Sequence, residues 1–142
     1  MLNREVGHSF KSPSPKAIHG KPYWDGMRDG KIVIQKCADC GAFTHPPGPR
    51  CTSCLSPNRE YVALSGLGTV YTYTVTHRAM HEEFKPDLPY VICYVRLDEG
   101  LTIVSWLRDV APQDVRIGMR VQAMFEKIDD ETTLHRFRPV PA

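Results

Sequence analysis

Cys37-Ala38-Asp39-Cys40 and Cys51-Thr52-Ser53-Cys54, ten residues apart, constrain this chain more than any other feature. Two CxxC pairs at this spacing place four sulfurs around one tetrahedral ion. Four thiolates leave no open coordination position, so one structural Zn2+ with no redox role is expected at Cys37, Cys40, Cys51 and Cys54. Iron in a redox site uses the same ligand set and is the rival. Gly41 follows Cys40 directly, where a knuckle commonly needs positive φ, and glycine supplies it without steric cost. His45 lies between the pairs; with four cysteines filling the site it reads as an exposed loop histidine.

The bulk of the chain must therefore carry the function. Its 142 residues suffice for a sizeable core. Hydrophobic content of 42% beside 24% charged residues describes a globular protein. No apolar run approaches the roughly 20 residues of a membrane helix, and the first residues, MLNREVGHSFKSPSPK, lack the apolar core of a secretory signal. A cytoplasmic location is expected, where paired cysteines more often bind metal than form disulfides. The net charge of +2 is too small for a dedicated nucleic-acid binder.

Residues 1–21, with Ser12-Pro13-Ser14-Pro15 and the unpaired cations Arg4, Lys11 and Lys16, read as a flexible tail. Residues 22–34 follow as a short helix and a lead-in strand. Pro22 offers a helix start, Tyr23, Trp24 and Met27 share one face, and Gly30 ends the helix, with Gly26 weakening it. The ribbon is expected over 35–64, with Tyr61–Leu64 as its exit strand. From 65 to 142 the texture becomes alternating β. Strands are expected at 69–76, 90–97, 101–107, 119–128 and 133–140, with a helical turn at Ala111–Asp114 between the third and fourth. This order matches an OB-fold, a small five-stranded Greek-key barrel, although an open sheet would give a similar sequence. The fold class is mainly β: N-terminal helix, zinc ribbon, C-terminal barrel. Gly66-Leu67-Gly68 marks a bend or bulge at the start of the first barrel strand.

No nucleophile elbow, phosphate-cradling loop or HExxH motif is present. Cys93 lies in the apolar run Val91-Ile92-Cys93-Tyr94-Val95 and reads as a buried inert thiol. His77 and His81 fall where a strand runs into a loop, a poor setting for a second metal. A small barrel with a closed metal site and no activated nucleophile points to binding or assembly.

The succession Tyr23-Trp24-Asp25-Gly26, Gly30-Lys31, Cys37-Ala38-Asp39-Cys40-Gly41, Pro46-Pro47, Cys51 to Cys54, Gly66-Leu67-Gly68-Thr69-Val70, Pro89-Tyr90-Val91 and Gly118-Met119-Arg120-Val121 resembles one family. It is the acyl-CoA-associated family that joins a rubredoxin-like zinc ribbon to an OB-fold. The likeness runs in order from residue 22 to about 140. It implies a non-catalytic accessory subunit in a hetero-oligomer with a thiolase-like catalytic subunit of an acyl-CoA or acyltransferase complex. Such partners include thiolases, ketosynthase-like acyltransferases and lipid-transfer-type aldolases; a MaoC-type hydratase is the alternative. The small subunit would bridge or support the catalytic chains and help accommodate acyl-CoA.

On that reading Tyr23, Trp24 and Met27 are candidates for an aromatic anchor on the partner, the alternative being that Tyr23 and Trp24 pack on the ribbon or the following domain. Phe84, on the loop His81–Pro89, lies over the substrate entrance. Arg78, Lys85 and Arg96 are the candidates to meet CoA phosphates, the alternative for each being a solvated surface charge. Two other readings compete. Tyr71, Tyr73 and Tyr94 would stack bases in a single-stranded nucleic-acid-binding module, or the chain would be a free-standing acyl-CoA carrier or enzyme.

Overall fold

In the computed structural model, residues 18–141 are described. The expected tail over 1–21 falls mostly outside them, together with Arg4, Lys11 and Lys16. Its last residues are structured: a 3-10 turn (Ile18–Gly20) leads into helix α1 (Lys21–Arg28). That turn is tied to the ribbon, since the Tyr61 hydroxyl donates to the His19 carbonyl at 2.8 Å and an Arg59 guanidinium nitrogen lies 3.1 Å from His19 Nδ1.

Pro22 occupies the first turn of α1, where its missing N–H costs nothing. Gly30, at φ +73°, closes the helix. Its N–H bonds to the Met27 carbonyl and that of Lys31 to the Gly26 carbonyl, the paired bonds of a Schellman cap. Gly26 is a poor helix former, yet packing requires it: a Cβ there would lie 2.5 Å from Val33 Cγ2. The helix thus seats close against the next strand, and this outweighs about 1 kcal/mol of propensity.

The ribbon is a three-stranded antiparallel sheet in the order β2-β1-β3, with β1 at Ile32–Cys37, β2 at Phe43–Thr44 and β3 at Arg59–Leu64. β1 is its central strand and runs into the first metal-ligating cysteine. The other five strands are β4 (Leu67–Thr76), β5 (Tyr90–Leu97), β6 (Thr102–Leu107), β7 (Arg120–Lys127) and β8 (Thr133–Pro139). They close into a barrel in the order β4-β5-β6-β8-β7. Closure comes from a parallel pairing of Leu107 with Phe137 and an antiparallel one between β4 and the start of β7. A 3-10 turn at Pro112–Asp114 stands where the helical turn was expected.

Alternation along β5 and β6 turns Val91, Cys93, Val95, Leu97, Ile103 and Leu107 inward, where they meet Val70, Val121 and Phe137. Gly66 adopts φ +75° before β4, but the bulge lies further on, at Tyr71. Gly68 serves close approach instead: a Cβ there would fall 2.7 Å from the Arg96 carbonyl oxygen.

α1 packs on β1 on one side and on β7 and β8 on the other. Met27 and Tyr23 are buried in this joint. A polar chain crosses it. The Tyr23 hydroxyl donates to His135 Nε2 at 2.8 Å, His135 Nδ1 donates to Ser105 Oγ at 3.0 Å, and the Ser105 hydroxyl donates to the His135 carbonyl at 2.8 Å. Burial drives the His135 pKa down to about 3, keeping the ring neutral with Nε2 free to accept.

Tyr23→Phe removes the donor to a buried ring nitrogen. It is expected to lower unfolding free energy by about 1–3 kcal/mol, seen as a reduced urea midpoint at unchanged slope. An unchanged midpoint would mean that this bond does not hold the helix to the barrel.

Candidate metal centre and the surfaces around it

The two knuckles are near copies of each other. In the first, the Gly41 N–H bonds to the Cys37 carbonyl at 3.0 Å and the Cys37 N–H to the Ala42 carbonyl at 2.9 Å. In the second, Leu55 bonds to Cys51 at 3.1 Å and Cys51 to Ser56 at 2.9 Å. The shared geometry needs positive φ after each second cysteine. Gly41 provides it at +76°, whereas Leu55 is held there at +63° with its side chain in solvent. Nothing in the residue type announces the second case.

The four Sγ atoms lie within 4.8 Å of one another. Cys37 and Cys54 are 3.6 Å apart, as are Cys40 and Cys51. Tetrahedral zinc with bonds of about 2.3 Å would separate its sulfurs by about 3.8 Å, so the donors fit the ion. Backbone amides also point at the sulfurs: the Cys40 N–H reaches Cys37 Sγ at 3.5 Å and the Ser53 N–H reaches Cys51 Sγ at 3.3 Å. Amides of Cys54 and Ser53 pull the Cys51 thiol down to about 6, and the Cys40 amide lowers Cys37. The second cysteine of each knuckle moves the other way. There the amides of Ala42 and Ser56 are outweighed by hydrogen bonding among the clustered thiols, which shifts Cys40 upward and Cys54 to about 12. The backbone therefore favours thiolate, the form that binds metal, at the first cysteine of each knuckle. When bound, zinc supplies a crosslink between the knuckles and no open position for chemistry.

His45 is not the exposed loop residue expected. It is half-buried, its ring is centred 5.2 Å from that of Tyr23, and its Nδ1 is buried without a partner among the described residues. Burial lowers its pKa. It is no part of the cysteine cluster. Cys93 is 0% exposed, its thiol contacts the Ser105 carbonyl, and burial pushes its pKa up to about 12. That is an inert thiol. His81 accepts from the Glu83 N–H and begins the 3-10 turn Glu82–Asp87, and no metal-ligating group forms around His77 or His81 among the described residues.

The aromatic anchor expected on α1 is turned inward. Tyr23 and Met27 belong to the core, and Trp24, half-buried, packs edge-on against Tyr23 with ring centres 5.3 Å apart. The reason is that the same face must bridge ribbon and barrel.

The substrate candidates do not converge. Phe84 and Lys85 share the turn after β4, with Arg78 exposed just before it and Lys85 paired with Glu82. Arg96 stands at the far end of β5, its guanidinium 4.4 Å from the centre of the Tyr71 ring.

A cluster without a sequence motif is built instead around Trp106. Tyr90 stacks on it at 4.2 Å, Phe84 packs at 5.9 Å, and the guanidiniums of Arg136 and Arg108 lie 4.5 and 5.0 Å from its centre. Glu126 joins both arginines at 3.1 Å, and Arg108 reaches Asp87 on the turn at 3.4 Å. Burial opposes the Glu126 carboxylate, yet hydrogen bonds from Arg136 and Arg108 hold its pKa below the usual range. Trp106 pairs with Ile92, so Tyr90 reaches it from two residues along β5, and only the barrel closure at Leu107 and Phe137 brings Arg136 of β8 beside β6.

Comparison with known proteins agrees with this architecture. The model of the ChsH2 rubredoxin-like zinc ribbon domain matches residues 24–59, and that of the ChsH2 C-terminal OB-fold domain matches residues 61–126. A DUF35 domain-containing scaffold protein of Methanocaldococcus jannaschii is 37% identical over 125 residues, covering 82% of this chain and 88% of that protein. A probable enoyl-CoA hydratase alpha subunit of Thermomonospora curvata is 38% identical over 133 residues. That alignment takes in 88% of this chain and 41% of the relative, so the chain spans about two fifths of that protein's length. The solved Ltp2-ChsH2(DUF35) aldolase includes a chain 37% identical to this one, with a TM-score of 0.81 over 90% of this chain and 98% of that one.

The protein is expected to carry one zinc and no visible absorption. Chelation should release amide protection in the ribbon and leave β4–β8 protected in hydrogen exchange. Iron in metal analysis would overturn the assignment. The knuckle backbone gives a second expectation: Gly41→Leu should cost about 1–2 kcal/mol. Leu55→Gly should be neutral or stabilise by up to about 1 kcal/mol, strain relief being offset by chain entropy. Equal losses in both variants, measured by urea titration of the zinc-loaded protein, would contradict the strain at Leu55.

Proposed function

The chain belongs to the DUF35/ChsH2 family of zinc-ribbon and OB-fold proteins, and on that premise we propose that it is a non-catalytic accessory subunit of an acyl-CoA-handling enzyme complex. The observation that carries this reading is the absence, among the described residues, of an activated nucleophile. Ser105 and His135 are adjacent, but the imidazole donates to the hydroxyl instead of accepting from it, and both are buried. Their arrangement is the reverse of what general-base activation needs. Cys93 is sealed in the barrel, and the other cysteines are metal ligands.

The catalytic partner is a thiolase-like chain, with a lipid-transfer-type aldolase the leading member. The likeness to the ChsH2 chain of the Ltp2-ChsH2(DUF35) aldolase, which extends over 98% of that chain, supports this choice. A hydratase is the second reading, favoured by the 38% identity to a hydratase alpha subunit. In either complex the segment from Arg78 through Phe84 and Lys85 is the part proposed to approach the acyl-CoA at the partner's entrance. Arg96 is too far along β5 to share that task. No helix among the described residues is long and apolar enough to cross a membrane.

The test is affinity capture from the native cells followed by intact-complex mass measurement, with acyl-CoA turnover assayed on the isolated chain. A stoichiometric catalytic subunit and no turnover by this chain alone are expected. Turnover by the isolated chain, abolished by a single substitution, would overturn the reading.

A further inference from the structure

The outer wall formed by β4, β5 and β6 is unlike the rest of the barrel. Arg96 is the one charged residue in these three strands. β7 and β8, by contrast, carry Arg120, Glu126, Lys127, Arg136 and Arg138. Across the wall, Thr72 pairs with Tyr94 and Tyr94 with Val104, so the three side chains form one outward row. Tyr94 is 47% exposed and Val104 46%. The bulge in β4 falls at Tyr71, which is 53% exposed and lies under the Arg96 guanidinium. A bulge re-aims a side chain locally, and here it adds a second tyrosine beside the row.

The neighbouring row is treated differently. Trp106 on β6 is covered by Phe84, Tyr90 and Arg136 of this same chain. Nothing among the described residues covers Tyr94 or Val104. Arg96 has no carboxylate partner among the described residues.

Resting on the accessory-subunit reading, we propose that the outer face centred on Tyr71, Tyr94, Arg96 and Val104 is the surface that docks onto the catalytic protein subunit. Its chemistry defines the matching patch: apolar at the centre, with a carboxylate placed for Arg96. Charge decides between occupants. A nucleic-acid strand would require several cations along its backbone, and this wall offers one. A protein interface core is depleted in Lys, Glu and Asp and enriched in Tyr and Arg, as this wall is.

The test uses the full-length zinc-loaded chain and the recombinant catalytic subunit recovered by the capture experiment. The double variant Tyr94→Glu/Val104→Glu is expected to bind at least tenfold more weakly by calorimetry, and Arg96→Glu to weaken binding as well. Lys127→Glu, on the opposite wall, should bind as wild type. Zinc content and thermal unfolding check that each variant is folded. Hydroxyl-radical footprinting of the wild type needs no variant, and modification of Tyr71 and Tyr94 should fall in the complex. Wild-type affinity in the folded double variant, or undiminished footprints, would overturn this face while leaving the accessory reading intact. Failure of the wild type to bind any catalytic subunit would overturn that reading and this inference with it. Self-association of the wild type abolished by the double variant would overturn the assignment in favour of a second copy. Tyr94-dependent binding of an oligothymidine would do so in favour of nucleic acid.

Discussion

Four thiolates converging on one ion organise the N-terminal half of this molecule. Between Thr44 and Arg59 the chain has no strand or helix. β2 contributes only two residues, and the ribbon's buried apolar groups are few. Backbone bonding alone would not hold such a segment against its conformational entropy. Zinc in a site of this kind contributes on the order of 10–16 kcal/mol. That energy orders both knuckles and, through Cys37, the end of β1. β1 in turn presents Ile32 and Ile34 to the core shared with α1. The dependence runs from metal to ribbon to helix, and there the helix and β1 join one continuous core with the barrel.

The joint between the two halves explains why α1 is short and carries a glycine. It must approach Val33 closely on one side and offer Tyr23 and Met27 to the barrel on the other. Residues that look like an exposed anchor when the helix is considered alone are core residues once both neighbours are in place. The polar chain from Tyr23 through His135 to Ser105 adds direction to a contact that apolar packing would leave free to slide. A neutral imidazole with one donor and one acceptor nitrogen meets each partner with a matched group, so this buried polar chain is satisfied at every atom.

Local signals carried most of the architecture. Cysteine spacing located the ribbon, alternation located five barrel strands within a few residues, and glycines at 30 and 41 marked turns that do take positive φ. What escaped was set by contacts distant in sequence. His45 looked like a loop residue because its burial depends on Tyr23. The Trp106 cluster draws on the turn after β4 and on β5, β6, β7 and β8, and no window of sequence contains it. Arg96 and Lys85 looked equivalent as candidate phosphate ligands, yet they fall at opposite ends of one strand. The bulge at Tyr71 was expected nearer Gly66, because Gly68 proved to serve close packing against β5.

A barrel filled by its own side chains and a metal with a full set of protein ligands leave this chain's chemistry at its surface. The surface is itself divided. Around Trp106, two arginines, two carboxylates and three aromatic rings lock the turn after β4 onto the barrel, which makes a rigid wall from a flexible connection. Next to it, Tyr94 and Val104 stand bare on strands that hold no carboxylate at all. Contact of exposed aromatic and β-branched groups with water is unfavourable in the isolated chain, and covering them contributes about 25 cal/mol for each Å² of apolar surface removed from water. The adjacent rigid cluster means that little further ordering entropy is lost when they are covered. Preorganised support beside an uncovered apolar row is the arrangement that suits the docking face proposed above.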